Sequence, residues 1–143
     1  MPDIEYAFLA DAAEVVPGQK FHVLGGGISR LSGPSLPIAH PHISIVVGLR
    51  LTATERKREH DLGFVVTGPT GEQITSSGGR VIASGPPDSS DVVLNLAVDL
   101  WNLTLPAAGE YAVRIVVDGT ERKLLPLLVT VSREPVQERR YLA

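Results

Sequence analysis

The four histidines of this 143-residue chain, His22, His40, His42 and His60, carry its most versatile chemistry. An imidazole can ligate a metal or move a proton near neutral pH. Two of them stand one residue apart in "AHPHI", at the end of the proline-rich stretch "SGPSLPIAHP", which reads as a loop. His40 and His42 could seed a metal site there, with His60 or a carboxylate as a further ligand. Zinc sites take three or four protein ligands, and no third close ligand accompanies the pair. His40, His42 and His60 are therefore weak metal candidates, and the expectation is a chain without metal or cofactor.

The other chemistry-bearing types lack their usual context. Ser76, Ser77 and Ser84 lie in "ITSSGGRVIASG", which holds no G-x-S-x-G elbow. The acidic "DSSD", Asp88 to Asp91, has too few ligands for a calcium loop and reads as a solvated loop. Gly25, Gly26 and Gly27 in "VLGGGISRL" could cradle a phosphate. However, a Walker loop continues with Lys-Ser or Lys-Thr into a helix, and here Ile28-Ser29-Arg30 follows. The spacing G-x-G-x-x-G of a dinucleotide fingerprint is also absent. The three glycines read instead as a bulge or bend in a strand, where the apolar alternation breaks. In "TERKREHD", Arg56, Lys57 and Arg58 are flanked by Glu55, Glu59 and Asp61. Such mixed charge suits an exposed loop, with contact to an acidic partner as the alternative.

Composition narrows the classes further. A net charge of −3 gives no field that would attract nucleic acid. No apolar run approaches the ~18 residues of a membrane helix. Acidic residues interrupt the apolar N-terminal stretch, so it does not read as a secretory signal. There is no cysteine, which suits a reducing cytoplasm. The expected location is cytoplasmic, with neither nucleic acid nor membrane as partner.

The elements that must position these residues have a period of two. In "ISIVVGLRLTA", Ile43, Ile45, Val47, Leu49, Leu51 and Ala53 share one face, and Ser44, Val46, Gly48, Arg50 and Thr52 the other. That is the pattern of a half-buried strand. Alternation recurs in "DIEYAFLADA", "VVLNLAVDL", "EYAVRIVVDG" and "LLPLLVTV", with turn signals between at Pro17-Gly18, "GPTGEQ", "SGPPDSSD" and Asp118-Gly119. Asp118-Gly119 fits a two-residue hairpin turn with positive φ, so Gly119 is expected to tolerate a side chain less well than Gly71. The expectation is one all-β, antiparallel β-sandwich with Greek-key connections over residues 1–132, and a polar tail over 133–143.

Two resemblances follow from particular stretches. Gly109 to Val113, "GEYAV", resembles the tyrosine corner of immunoglobulin-like sandwiches, with Tyr111 as the corner tyrosine. That likeness implies a Tyr111 hydroxyl bonded back to the preceding corner. The chain has no cysteine pair and its single Trp, Trp101, precedes the corner, so an antibody-type domain is not implied. The order of "EYAFLADAAEV", "FHVLGGGISRL", "FVVTGPTGEQI", "GEYAVRIVVDG" and "LPLLVTV" resembles a bacterial family of small stand-alone proteins known only as a domain of unknown function. It implies a sandwich and no catalytic residues.

Two function classes remain. One is a non-enzymatic binding or assembly module, pairing through sheet edges with a protein partner or with itself as a homo-oligomer. Val46, Val65, Val116 and Leu128 fall on strand faces that read as outward. Clustered, they would form an interaction patch. The other class is a small-ligand or metal-binding protein, or an enzyme, built on the His40/His42 loop. Absence of a convergent polar constellation favours the first.

Overall fold

The computed structural model describes residues 2–16, 20–83, 88 and 90–132. The turn expected at Pro17-Gly18, Ser84 and the tail over 133–143 lie outside the described residues. The period-two stretches are strands: β1 (Asp3–Val15), β2 (Phe21–Gly26), β3 (Arg30–Gly33), β4 (Ile38–Leu51), β5 (His60–Thr67), β6 (Gln73–Val81), β7 (Val92–Leu105), β8 (Gly109–Val117) and β9 (Thr120–Val131). A 3-10 turn, Glu55–Lys57, precedes β5.

The strands form two packed sheets, ordered β2-β1-β4-β7 and β3-β9-β8-β5-β6. The chain is an all-β sandwich, as its alternation requires. Hairpins join β1 to β2, β5 to β6 and β8 to β9, and every other connection crosses between the sheets. One pair departs from the antiparallel expectation: β3 runs parallel to β9, with Arg30 beside Leu128 and Gly33 beside Val131. No hairpin sets the direction of β3, which enters its sheet by crossing from the other one.

The inward faces carry the predicted sets. Ile43, Ile45, Val47, Leu49 and Leu51 from β4 belong to one apolar core with Leu62, Phe64 and Val66 from β5. Tyr111, Val113, Ile115 and Val117 from β8 and Leu125, Leu127 and Val129 from β9 complete it. The Tyr111 hydroxyl donates to the Ala107 carbonyl at 2.7 Å and accepts from the Ala107 N–H at 3.1 Å, so the buried ring pins the turn before β8. Asp118 and Gly119 have φ of +49° and +83° and join Val117 to Thr120 as a two-residue turn.

The three glycines close β2 where the chain leaves its sheet. The N–H groups of Gly27 and Ile28 both point at the Leu9 carbonyl, at 2.8 and 3.0 Å, so two residues oppose one. Gly25 has φ +60°, and a Cβ there would sit 2.0 Å from Asp11 Oδ2. Close backbone approach and bulge geometry account for glycine here without any ligand.

β4 corrects two expectations. It starts at Ile38, so His40 and His42 lie on a strand and not in a loop. Its second face is also covered: Val46, read as outward, is 0% exposed, as is Ser44. The cover is aromatic. Tyr6 lies over Gly48, where a Cβ would come within 2.3 Å of Tyr6 Cζ. Its hydroxyl donates to Asn95 Oδ1 on β7, and Phe8 stands opposite Val46. The Phe21 ring lies 5.9 Å from that of Tyr6 and 6.4 Å from that of Phe8. Phe21 pairs with Val15, nine residues beyond Tyr6, which is roughly 30 Å along a straight strand. The rings can meet only because β1 curves back on itself, a tertiary feature that the alternation pattern does not encode.

Candidate functional site: the open side between β6 and β7

β6 and β7 end their respective sheets, so among the described residues no strand pairs with their outer edges. Their sequences explain why this side is open. Pairing with β5 puts Ser77 opposite Phe64 and Gly79 opposite Leu62, which makes Thr75, Ser77 and Gly79 the inward positions of β6. All three are small or polar, and the one large apolar inward residue of β6, Val81, packs at the His60 end. Facing them, Leu94, Leu96 and Val98 occupy the inward positions of β7, opposite Leu49, Val47 and Ile45. They remain only half-buried, although the strand pattern aims them at the core. A slot of about 190 Å³ runs between Leu62, Phe64, Leu96, Val98 and the Ser77–Val81 stretch of β6. A wider groove of about 400 Å³ continues from Ser77 along Ile74–Ser77 and Asp99–Thr104.

At the far end of that groove Asp99 and Trp101 are joined by strand register to Ser44 and His42 of β4. β4 pairs His42 with Trp101 and Ser44 with Asp99. The buried Ser44 hydroxyl donates to Asp99 Oδ1 at 2.7 Å, and His42 Nε2 donates to the same oxygen at 2.7 Å. The His42 and Trp101 rings stack at 4.0 Å and 14°. Burial pushes the Asp99 carboxyl up, but the hydrogen bonds from His42 and Ser44 outweigh it and hold its pKa below the usual value. Just beyond, Asn102 has φ +52° and stands across from Pro41, which has no N–H to offer the ladder.

This arrangement does not make Ser44 a nucleophile. The residue is fully buried and its proton points at the carboxylate, not at the imidazole. His60 is equally committed. It lies at the other end of the sandwich, with Nδ1 2.8 Å from Asp118 Oδ2 and Nε2 2.7 Å from the Glu55 carbonyl. Both partners only accept, so both nitrogens donate and neither is free for a metal. Burial lowers the His60 pKa, yet the Asp118 carboxylate and the Glu55 carbonyl outweigh it and raise the value overall. His40, His42 and His60 therefore do not converge. Among the described residues no group of three or more His, Cys, Asp or Glu is placed to hold a metal ion.

The remaining candidates separate. Val65, Val116 and Leu128 are on the outer face of the five-stranded sheet, whereas Val46 is on the other sheet, opposite Phe8 of β1. Val116 stands opposite Gly63 and Val65 opposite Arg114, which carries an ion pair to Glu121. Leu128, opposite Glu110, is six residues along β8 from Val116, or roughly 20 Å. The four do not form one patch. In the basic run, Arg56 is tied down by hydrogen bonds to the carbonyls of Asp88 and Ser90. Glu55 is buried as the partner of Thr52 in a reciprocal cap, and only Lys57 and Arg58 of the basic residues are exposed.

Asp99 and Trp101, absent from the sequence-based candidates, carried a legible signal: positions i and i+2 of a strand share a face. What sequence could not supply was the register that sets them against Ser44 and His42. No helix among the described residues is long and apolar enough to cross a membrane. No curated protein matches the chain. A family model does match, over residues 5–130, and by that match the chain belongs to DUF6941, a family of unknown function.

Proposed function

We propose that this protein is a non-enzymatic binding or assembly module that takes up an extended segment, from another copy or from a partner protein, at the open side between β6 and β7. The observation that carries this reading is the row Leu94, Leu96 and Val98. It points inward from an edge strand and is left half-buried because the stretch of β6 facing it carries the small or polar Thr75, Ser77 and Gly79, with Val81 only at the His60 end. A strand added to the 14-residue β7 would satisfy unpaired backbone groups and place alternate side chains over that row. β7 carries no lysine, arginine or proline of the kind that protects exposed edges. The absence of cysteine suits a cytoplasmic setting for such a module.

The test is light scattering over a dilution series, with amide hydrogen exchange over residues 92–105, on the wild type and on Gly79→Lys. A Cβ on Gly79 meets nothing within 4 Å, so the lysine enters the slot without displacing the core. The expected result is concentration- or partner-dependent protection of β7 that Gly79→Lys removes. Protection appearing on other strands, or unchanged by Gly79→Lys, contradicts the reading.

A further inference from the structure

β7 ends the four-stranded sheet, and its sequence is complementary to itself. Its single charged residue is Asp99. Asn102, with φ +52°, interrupts the extended backbone. The regular stretch therefore runs from Val92 to Trp101, and its midpoint falls between Leu96 and Ala97. Val93, Asn95, Ala97, Asp99 and Trp101 lie on the outer face, which β4 shares through Val46 and Ser44. Trp101 is 65% exposed. Its ring stacks on His42 of the neighbouring β4 at 4.0 Å, which leaves the opposite face of the indole toward the open edge.

We propose that the segment taken up at β7 is the β7 of a second copy, antiparallel and centred on Ala97, so that two four-stranded sheets join into one of eight strands about a two-fold axis. The inference rests on the edge-docking reading above and names the partner. Antiparallel pairing about one residue keeps inward rows opposite inward rows. With Ala97 on the axis, Leu96 faces Val98 of the second copy and Leu94 faces its Leu100. Trp101 receives Val93 of the second copy at its open side, an aromatic and β-branched cross-strand pair. Asp99 faces an amide, Asn95. The neighbouring registers are poorer. Centring on Leu96 sets Trp101 against Asp91, which precedes the strand. Centring on Val98 draws Asn102 into the ladder opposite Leu94. Centring on Asp99 opposes two carboxylates, which is destabilising. The axis is perpendicular to the joined sheet, so both five-stranded sheets lie on one side and the two β6 strands flank the seam. The small inward residues Ser77 and Gly79 leave space there for the joined apolar rows.

The chain has no cysteine, so introduced thiols report the register without background. In the full chain, Ala97→Cys should become a disulfide-linked dimer on mild oxidation. Directly opposed residues of an antiparallel pair lie about 4.5–5.5 Å apart at Cα, within the span of a disulfide. Val93→Cys and Trp101→Cys should each remain uncrosslinked alone, because each stands roughly 27 Å from its own copy. Mixed before oxidation, the two should crosslink to one another, which reads the same register should Ala97→Cys fail to fold. Light scattering of the wild type at high concentration should give twice the monomer mass. A strictly monomeric wild type overturns the inference. So does a dimer in which neither Ala97→Cys nor the mixed pair crosslinks. If the wild type is monomeric, yet a partner protects residues 92–105 from exchange and Gly79→Lys removes that protection, the edge reading stands and the second copy falls. If the Ala97→Cys crosslink forms equally well with Gly79→Lys added, the dimer stands and the slot has no part in docking.

Discussion

His60 and Asp118 are 58 positions apart in the chain and 2.8 Å apart in space. Their hydrogen bond ties the start of β5 to the turn between β8 and β9. Asp118 also accepts from the Asp61 N–H at 2.9 Å, and its own N–H donates to the Asp61 carbonyl at 2.9 Å. The second His60 nitrogen reaches the Glu55 carbonyl, so one buried imidazolium joins three segments at the end of the sandwich opposite Trp101.

Stability should follow the protonation of that ring. The folded pKa of His60 is raised above its ordinary 6.5. Its contribution is therefore fully present below that value and is lost as pH rises through the folded pKa. Asp118, held below 3.8 chiefly by its hydrogen bond to His60, acts only at acidic pH. Urea titrations between about pH 6 and about pH 8 should show wild-type stability falling relative to His60→Gln, which does not titrate there. Parallel profiles for the two proteins would contradict the assignment.

Gly48→Ala should cost about 2 kcal/mol, because the new methyl would overlap a ring that cannot yield. Tyr6 is held from its hydroxyl by Asn95 and along its edge by Phe21. Gly63→Ala is the control. Its Cβ would find Val116 Cβ at an ordinary 3.8 Å, so it should be close to neutral in the same denaturation experiment.

Gly119 and Gly71 should be equally demanding. The expectation that the longer "GPTG" loop adapts more readily does not fit the backbone. Both glycines have positive φ, +83° and +84°, and neither has a neighbour within 4 Å of its Cβ position. The penalty for valine is then conformational at both sites, on the order of 1–2 kcal/mol each. Thermal melts of the two variants should fall together. A loss confined to Gly119→Val would mean that the longer loop relaxes out of its positive φ.

Much of this architecture was legible in the sequence. Alternation placed the inward rows of β4, β8 and β9, and Asp118-Gly119 announced its turn. The Tyr111 corner hydrogen bonds followed from one local motif. The misreadings share a cause. Val46 alternates like a surface residue, yet it lies under rings delivered by the curvature of β1. His40 and His42 follow prolines, yet the strand begins at Ile38. The groove arises from what β6 lacks, since small residues opposite a leucine row become an opening only once the two sheets are stacked. The Ser44–Asp99–His42–Trp101 chain depends on β4–β7 register, which no local pattern specifies.

Entry of a partner between β6 and β7 can be read directly by placing a photo-crosslinking p-benzoylphenylalanine at Ser77 in the full chain inside its native cell, with Lys57 as a control position. Ser77 lines both parts of the groove, whereas Lys57 is exposed in the 3-10 turn before β5. One defined crosslinked species is expected from position 77, either a second copy or a partner, and it should disappear when Gly79→Lys is added. Crosslinks of equal yield and identity at position 57, or a species at 77 that Gly79→Lys leaves intact, would contradict it.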